Sequence, residues 1–390
     1  MGKDVKLAAA IETAEPSIAA DFKDRPDVEH NLRKTMGKSF YELGMTKNAI
    51  AQYERALELE RKHLGTKHAE TRSSMTLLAR AYSDVGRDRE ALALREESFR
   101  IAKTTFGPTH AETGFAMQAL ALSYHKSQRY AEAMEFYREA LRIYLLEHDE
   151  NDPYALDAES NIGALSCDLG KPAEAVKIHE RLVERVRNIH GPDHLTVARF
   201  LVTLATDYAA LGDHKKSLDT LEKVAEIRVA KLGPKHPSTL ISKSDVAVQL
   251  EALGKPDEAL RIRNEVLAMR SETLGDAHPG TLRSMTDVAT SYLKLHRPED
   301  ALAILEKTAR MNRELLGPEH PQTTKTLLQL AHARFETGRR DEALAEIEKI
   351  RAPLTEKLGP DHQDTRYALH QLADLSTRTI ARRCATGKNF

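Results

Sequence analysis

Apolar residues in this chain fall in helical stripes, and the stripes repeat every 42 residues. Leu78, Ala79 and Tyr82 return as Leu120, Ala121 and Tyr124, and again as Leu204, Ala205 and Tyr208. Steps of three and four residues place each trio on one face of a helix. A glycine column follows at Gly44, Gly86, Gly170, Gly212, Gly254 and Gly338, with Gln128 and His296 at its two remaining positions. Five residues further on stands a small side chain: Ala49, Ala91, Ala133, Ala175, Ser217, Ala259, Ala301 or Ala343. A second glycine column runs through Gly65, Gly107, Gly191, Gly233, Gly275, Gly317 and Gly359, each with a histidine three residues later.

The pattern predicts a helix, a tight turn at the first glycine, and a second helix. The small residue lets the two helices approach, and the second glycine is expected to close the unit as a left-handed C-cap. Pro237, Pro279 and Pro321 stand at the start of the next first helix, where a missing N–H costs little. One such pair cannot cover its own apolar face, so neighbours must stack. The expected fold is an all-α solenoid of eight 42-residue helix pairs plus a ninth first helix over His362 to Leu375, spanning residues 27–379. Residues 1–26 read as a lead-in helix or linker and 380–390 as a frayed basic end.

Composition narrows the function classes. The chain has 58 basic and 59 acidic residues, a net charge of −1, and 5% aromatic residues with no Trp. That balance speaks against a dedicated nucleic-acid surface or an aromatic carbohydrate cleft. No apolar run reaches the ~20 residues of a membrane span, and the opening residues hold no signal-peptide core. Two cysteines, Cys167 and Cys384, are too few for a disulfide framework or a closed cysteine zinc site. A reducing, cytoplasmic location is expected, with no cofactor.

Each candidate for chemistry has a plainer reading. The histidines of successive repeats lie about a helix-packing distance apart, on the order of 10 Å, so they cannot share one metal; a role at the start of each first helix fits better. Cys167 stands one period after His125, too far for a nucleophile–base pair. Cys384 reads as an incidental tail cysteine, despite the basic neighbours that could lower its pKa. The turn His148-Asp149-Glu150-Asn151-Asp152 replaces the usual Gly and His, but lacks the Gly and distal Glu of a calcium loop, and reads as a solvated irregularity where the stack could bend. Arg378, Arg382, Arg383 and Lys388 read as a solvated terminus.

The Leu-Ala…Tyr…Gly…Ala pattern resembles the tetratricopeptide repeat. Its 42-residue period and the loop Leu232-Gly233-Pro234-Lys235-His236-Pro237 are similar to the kinesin-light-chain class of that family, over residues 27–379. The stretch from Ala19-Ala20-Asp21 to Thr35-Met36-Gly37 is similar to the start of the repeat tails of large bacterial, planctomycete-type serine/threonine protein kinases. No Gly-rich phosphate loop, His-Arg-Asp or Asp-Phe-Gly accompanies it. With Ile380 and Ala385 at the expected Gly and small-residue positions, the ninth unit looks unfinished. A detached tail, a kinase-less paralogue or a fragment are the readings this leaves.

The resemblance implies a right-handed superhelical solenoid whose first helices line a concave groove for extended or helical peptides. The groove-facing stripe carries Lys34, Lys38, Arg80, Arg199, Arg283 and Lys325, with Asp157, Glu251 and Asp374 against them. Phe115, Val202, Ile241, Leu293, Leu328 and Phe335 are interspersed. The kinesin-light-chain class places paired asparagines just before Leu-Ala; here only Asn161 keeps one, so that class's cargo specificity does not carry over. The candidate groove residues are therefore Arg80, Phe115, Asn161, Arg199, Ile241, Arg283, Lys325 and Phe335.

The expected function is a non-catalytic scaffold for a protein or peptide, acidic and with a hydrophobic anchor. Two alternatives stand beside it. One is the regulatory tail of a kinase whose catalytic domain is not in this chain. The other is self-association through the unfinished C-terminal unit.

Overall fold

A computed structural model describes residues 13, 15–318, 320–358, 366 and 370. Among these the chain is all-helical. A lead-in helix, α1, is described over residues 15–21. Eight pairs follow: α2 (Pro26–Glu42) with α3 (Thr46–His63), α4 (Ala69–Asp84) with α5 (Asp88–Phe106), α6 (Ala111–Lys126) with α7 (Tyr130–Glu147), and α8 (Pro153–Asp168) with α9 (Pro172–His190). Then come α10 (Leu195–Ala210) with α11 (His214–Leu232), α12 (Pro237–Ala252) with α13 (Pro256–Leu274), α14 (Pro279–Lys294) with α15 (Pro298–Leu315), and α16 (Pro321–Glu336) with α17 (Arg340–Leu358). Two compact units divide the chain, residues 1–249 and 250–390. The expected ninth first helix, Cys384 and the basic tail lie outside the described residues, except for Arg366 and His370, which are both helical.

The core is built from the periodic columns. Leu78, Ala79 and Tyr82 and their counterparts are buried, as is every small residue from Ala49 to Ala343. Its one polar member, Ser217, hands its hydroxyl hydrogen to the Ala205 carbonyl at 2.7 Å, which removes the cost of burying it. In the first unit Ile18 of α1 joins the cluster formed by Phe40, Tyr53 and Leu78. In the second unit Leu305, Leu330 and Ile347 share a cluster.

The turns inside each pair hold to their left-handed backbone even where glycine is missing. Gln128 (φ 59°) and His296 (φ 56°) are the non-glycine residues with positive φ among those described, and they fill the two gaps in the glycine column. Tertiary packing therefore fixes the turn at a cost that glycine elsewhere avoids, about 1–2 kcal/mol.

The second glycine column departs from expectation. Gly107, Gly191, Gly233 and Gly275 cap their helices at φ 83–95° but ψ 158–168°. That is an extended conformation, nearly reserved for glycine, and not the left-handed helical one. The chain leaves the helix at once and starts the next. Thr71, Thr113, Thr239 and Thr323, six residues after their glycines, close the loop by donating to the glycine carbonyls at 2.7–2.9 Å.

The histidine column caps the first helices. The Nδ1 atoms of His68, His110, His194, His236, His278 and His320 each accept a backbone N–H two residues on, at 3.0–3.3 Å. In the irregular acidic turn Asp152 takes the same place, accepting from Tyr154 and Ala155 at 2.8 and 3.2 Å. One column thus tolerates two chemistries that supply the same acceptor. Replacing His110 with Ala is expected to cost about 1 kcal/mol, and His110→Asp to cost little. Urea unfolding of the two variants side by side tests this, and equal losses would show that the ring contributes something other than its acceptor.

Candidate interaction groove

Residues on the outward face of the first helices lie seven apart, two helical turns, so each helix shows a pair. In the first unit α6 shows Phe115 and Leu122, and α12 shows Ile241 and Val248, all well exposed. Between them the same columns are charged or small: Asp157 and Ala164 in α8, Arg199 and Thr206 in α10. The stripe reads apolar, charged, apolar. Large side chains exposed at matching points on separate helices are not needed for the fold, since the buried columns already hold the pairs together.

Arg80 and Phe115 are brought together at a cavity of about 300 Å³ between α4, α5 and α6. The Arg80 guanidinium lies 5.1 Å from the centre of the Tyr41 ring. Phe115 packs edge-on to Tyr154 at 6.1 Å. Asn161 is half-buried in α8. Arg199 forms an ion pair with Asp157, one period earlier, and lies 4.3 Å from the centre of the Phe200 ring. In the second unit Arg283 is exposed. Lys325 reaches Asp287 on the preceding first helix at 3.3 Å.

Lys34 pairs likewise with Glu70, and Arg72 with Glu112 at 3.2 Å. Three of the six stripe cations, Lys34, Arg199 and Lys325, thus meet a carboxylate on a neighbouring first helix. The two pairs with exposed cations, Arg199–Asp157 and Lys325–Asp287, contribute little to stability, about 0–1 kcal/mol each.

Three stripe residues are not on the stripe. Phe335 and Leu328 are buried in the second unit's core, Phe335 completely. Phe335 stands four residues after Ala331, and Leu328 three before it, so both share the face of that buried alanine. The Glu251 side chain is only 6% exposed and pairs inward with Arg263.

The structure adds a buried polar column that the apolar stripes do not reveal. Second-helix residues Arg95, His179 and Arg263 each bond a residue 28 positions later, Ser123, Asp207 and Ser291. The signal was available at period 42: these positions alternate with Tyr53, Tyr137, Leu221, Leu305 and Ile347. Polar residues in an otherwise apolar column mark sites where a partner must be supplied.

At His179 the result imitates a hydrolase triad. Ser160 Oγ lies 3.0 Å from Nε2, and Asp207 faces Nδ1. The chemistry does not follow. Nε2 is also 3.1 Å from the Ser160 carbonyl oxygen, so the ring is seated against the α8 backbone and is not aimed at the hydroxyl alone. Ser160 sits inside α8, where backbone N–H groups are used by the helix and cannot form an oxyanion hole. Nor does Cys167 pair with His125, whose Nε2 contacts Asp168 at 2.6 Å. Burial, then the nearby Asp207 and Asp168, push the Cys167 thiol up from its ordinary value, disfavouring the nucleophilic thiolate.

Residues 29–104, 84–145, 154–229, 196–262, 238–314 and 288–352 match the model of the tetratricopeptide repeat family. The chain belongs to that family. Comparison with curated proteins gives no match. Among solved structures the chain is similar to a putative kinesin light chain from Podosopora anserina with nearly identical TPR-like repeats. That likeness has 27% identity over 52% of this chain and 95% of that chain, at a TM-score of 0.45. It is also similar to BtubC from P. vanneervenii, with 19% identity over 61% of this chain and 95% of that one, at a TM-score of 0.47. Tetratricopeptide repeats form protein-interaction scaffolds, and this chain is built as one. No helix among the described residues is long and apolar enough to cross a membrane.

Proposed function

We propose that the chain is a non-catalytic scaffold that binds a linear segment of a partner protein along the outward stripe of its first helices. The observation that carries this reading is the pair of exposed apolar patches, Phe115 with Leu122 and Ile241 with Val248, three repeats apart. At about 10 Å per repeat, an extended segment of roughly nine or ten residues would span them. Apolar anchors supply most of the affinity in such modes, and the polar residues between them set register.

The Asp157–Arg199 pair lies on that path. An acidic residue of the bound segment would compete with Asp157 for Arg199, so electrostatics contribute selectivity and salt sensitivity more than affinity. Lys325 stands in the same relation to Asp287 on the second unit.

Panning a random peptide display library on the intact chain tests the reading. Recovered segments are expected to carry two apolar residues well separated in sequence. Phe115→Ser and Ile241→Ser should each weaken them at least tenfold with helicity unchanged. Arg199→Glu should weaken acidic segments by a smaller factor that shrinks as salt rises. Segments that bind the two Ser variants as tightly as the parent chain would remove the stripe from the account.

A further inference from the structure

The two buried arginines of the polar column occupy matching places four periods apart and are met differently. Arg263 is 7% exposed. Its guanidinium donates to the Glu251 carboxylate, to Ser291 Oγ and to the Asp287 carbonyl, the last at 3.3 Å. The same carboxylate accepts from Lys294 at 2.6 Å and from Ser291 at 3.1 Å. Glu251 is thus gripped by three donors: Arg263, Ser291 and Lys294.

All three donors recur in the first unit at the same offsets, as Arg95, Ser123 and Lys126. The carboxylate does not. Ser83 stands where Glu251 would be, and its hydroxyl is buried with no hydrogen-bond partner. Arg95 is 8% exposed, and its one hydrogen bond among the described residues goes to Ser123 Oγ. Burial pushes the Arg95 guanidinium down from its ordinary value, partly offset by Asp88 and Asp84. A buried guanidinium with most of its five N–H groups unmatched is costly unless something arrives to accept from them.

In place of the missing side chain is the cavity of about 300 Å³, lined by Arg95, Ser83 and Lys126 within and by Arg80, Phe115 and Leu122 among its other residues. Asp84 also lines it, but its carboxylate accepts from the Tyr41 hydroxyl, and three cations outnumber it.

We infer that this cavity receives the carboxylate of a Glu or Asp side chain from a bound peptide, which takes the place that Glu251 holds in the second unit. The peptide's neighbouring apolar residue then rests on Phe115 and Leu122. The inference rests on the scaffold reading above and deepens it, assigning one acidic side chain of the partner to one pocket.

Two experiments test it. The first needs no ligand. Ser83→Glu rebuilds the second unit's arrangement and is expected to raise the melting temperature above that of both the parent chain and Ser83→Gln. A Ser83→Glu protein no more stable than Ser83→Gln would overturn the inference.

The second uses three pools of acetylated heptapeptides on the immobilised full chain. One has Glu fixed at the centre with an amidated end, one has Gln there with an amidated end, and one has Gln with its terminal carboxylate left unblocked. The Glu pool should be retained at least tenfold more than the amidated Gln pool. That preference should vanish in Ser83→Glu and in Arg95→Leu, whose leucine has natural counterparts at Leu221 and Leu305. Preference for the unblocked Gln pool would transfer the pocket to a terminal carboxylate and overturn the side-chain assignment. Equal retention of all pools, still lost in Phe115→Ser, would leave the stripe standing and the pocket refuted.

Discussion

Replacing Glu251 with Ala is expected to destabilise the second unit by about 3–5 kcal/mol, because it strands the buried Arg263 charge. Adding Arg263→Leu should recover most of the loss, since Leu305 fills that column in the next repeat and Ala209 or Leu293 fills the column of Glu251. The desolvation cost then disappears together with the ion pair. Hydrogen exchange of α13 and α14 amides reads the effect locally, which suits a repeat array whose unfolding need not be two-state. A single Glu251→Ala variant as protected as its parent would show that water reaches Arg263.

The same site predicts an acid response. Burial alone would push the Glu251 carboxyl up, but hydrogen bonds from Lys294 and Arg263 outweigh it and hold the group below its ordinary value. The folded value therefore lies below the unfolded one. The stabilisation is complete above about pH 4.5, the ordinary glutamate range, and is lost as pH falls through the depressed folded value. Glu251→Gln should flatten this part of the pH–stability curve.

The second large effect belongs to the first unit. Asp207→Ala is expected to cost about 2–4 kcal/mol, because the completely buried His179 ring loses the acceptor at Nδ1. His179→Tyr with Asp207→Leu should restore much of it by copying Tyr137 and Leu165, the residues one period earlier. Gly163 makes this possible: its missing Cβ leaves room for the ring, and a Cβ there would stand 2.7 Å from His179 Cε1. Thermal melts of the single and double variants decide the matter. A double variant no better than Asp207→Ala would mean that the column is not interchangeable.

How far the sequence could be read depended on whether a feature obeyed the period. The helix pairs, the alanine column and the turn at Gly86 recur in register, so the fold was legible from them. Gln128 and His296 were legible as gaps, but their adoption of a glycine backbone was not, because it is decided by the packed helices on either side. The stripe was partly legible. Phe115 and Ile241 stand outward as their helical angle dictates, whereas Phe335 and Glu251 do not, being four residues beyond a buried alanine. The pairing of Arg199 with Asp157 and of Lys325 with Asp287 is not legible along any one helix, since each partner belongs to the preceding repeat. Arg95 was not legible as a site because a period shows where residues are alike, and this column matters through its differences.

Those differences have a bearing on how the chain avoids docking out of turn. Repeats of one length could join in the wrong order, with a second helix settling on a first helix one period too early or too late. A slip by one repeat would set Arg95 against Leu165 in place of Ser123, or Asp207 against Leu221 in place of His179. A buried guanidinium or carboxylate would then face a group that cannot answer it, at a cost of several kcal/mol. A uniform column of leucines would pack as well in any order. The mixed column gives neighbouring joints different keys, and so makes the order of the repeats a property of the side chains as well as of the connecting chain.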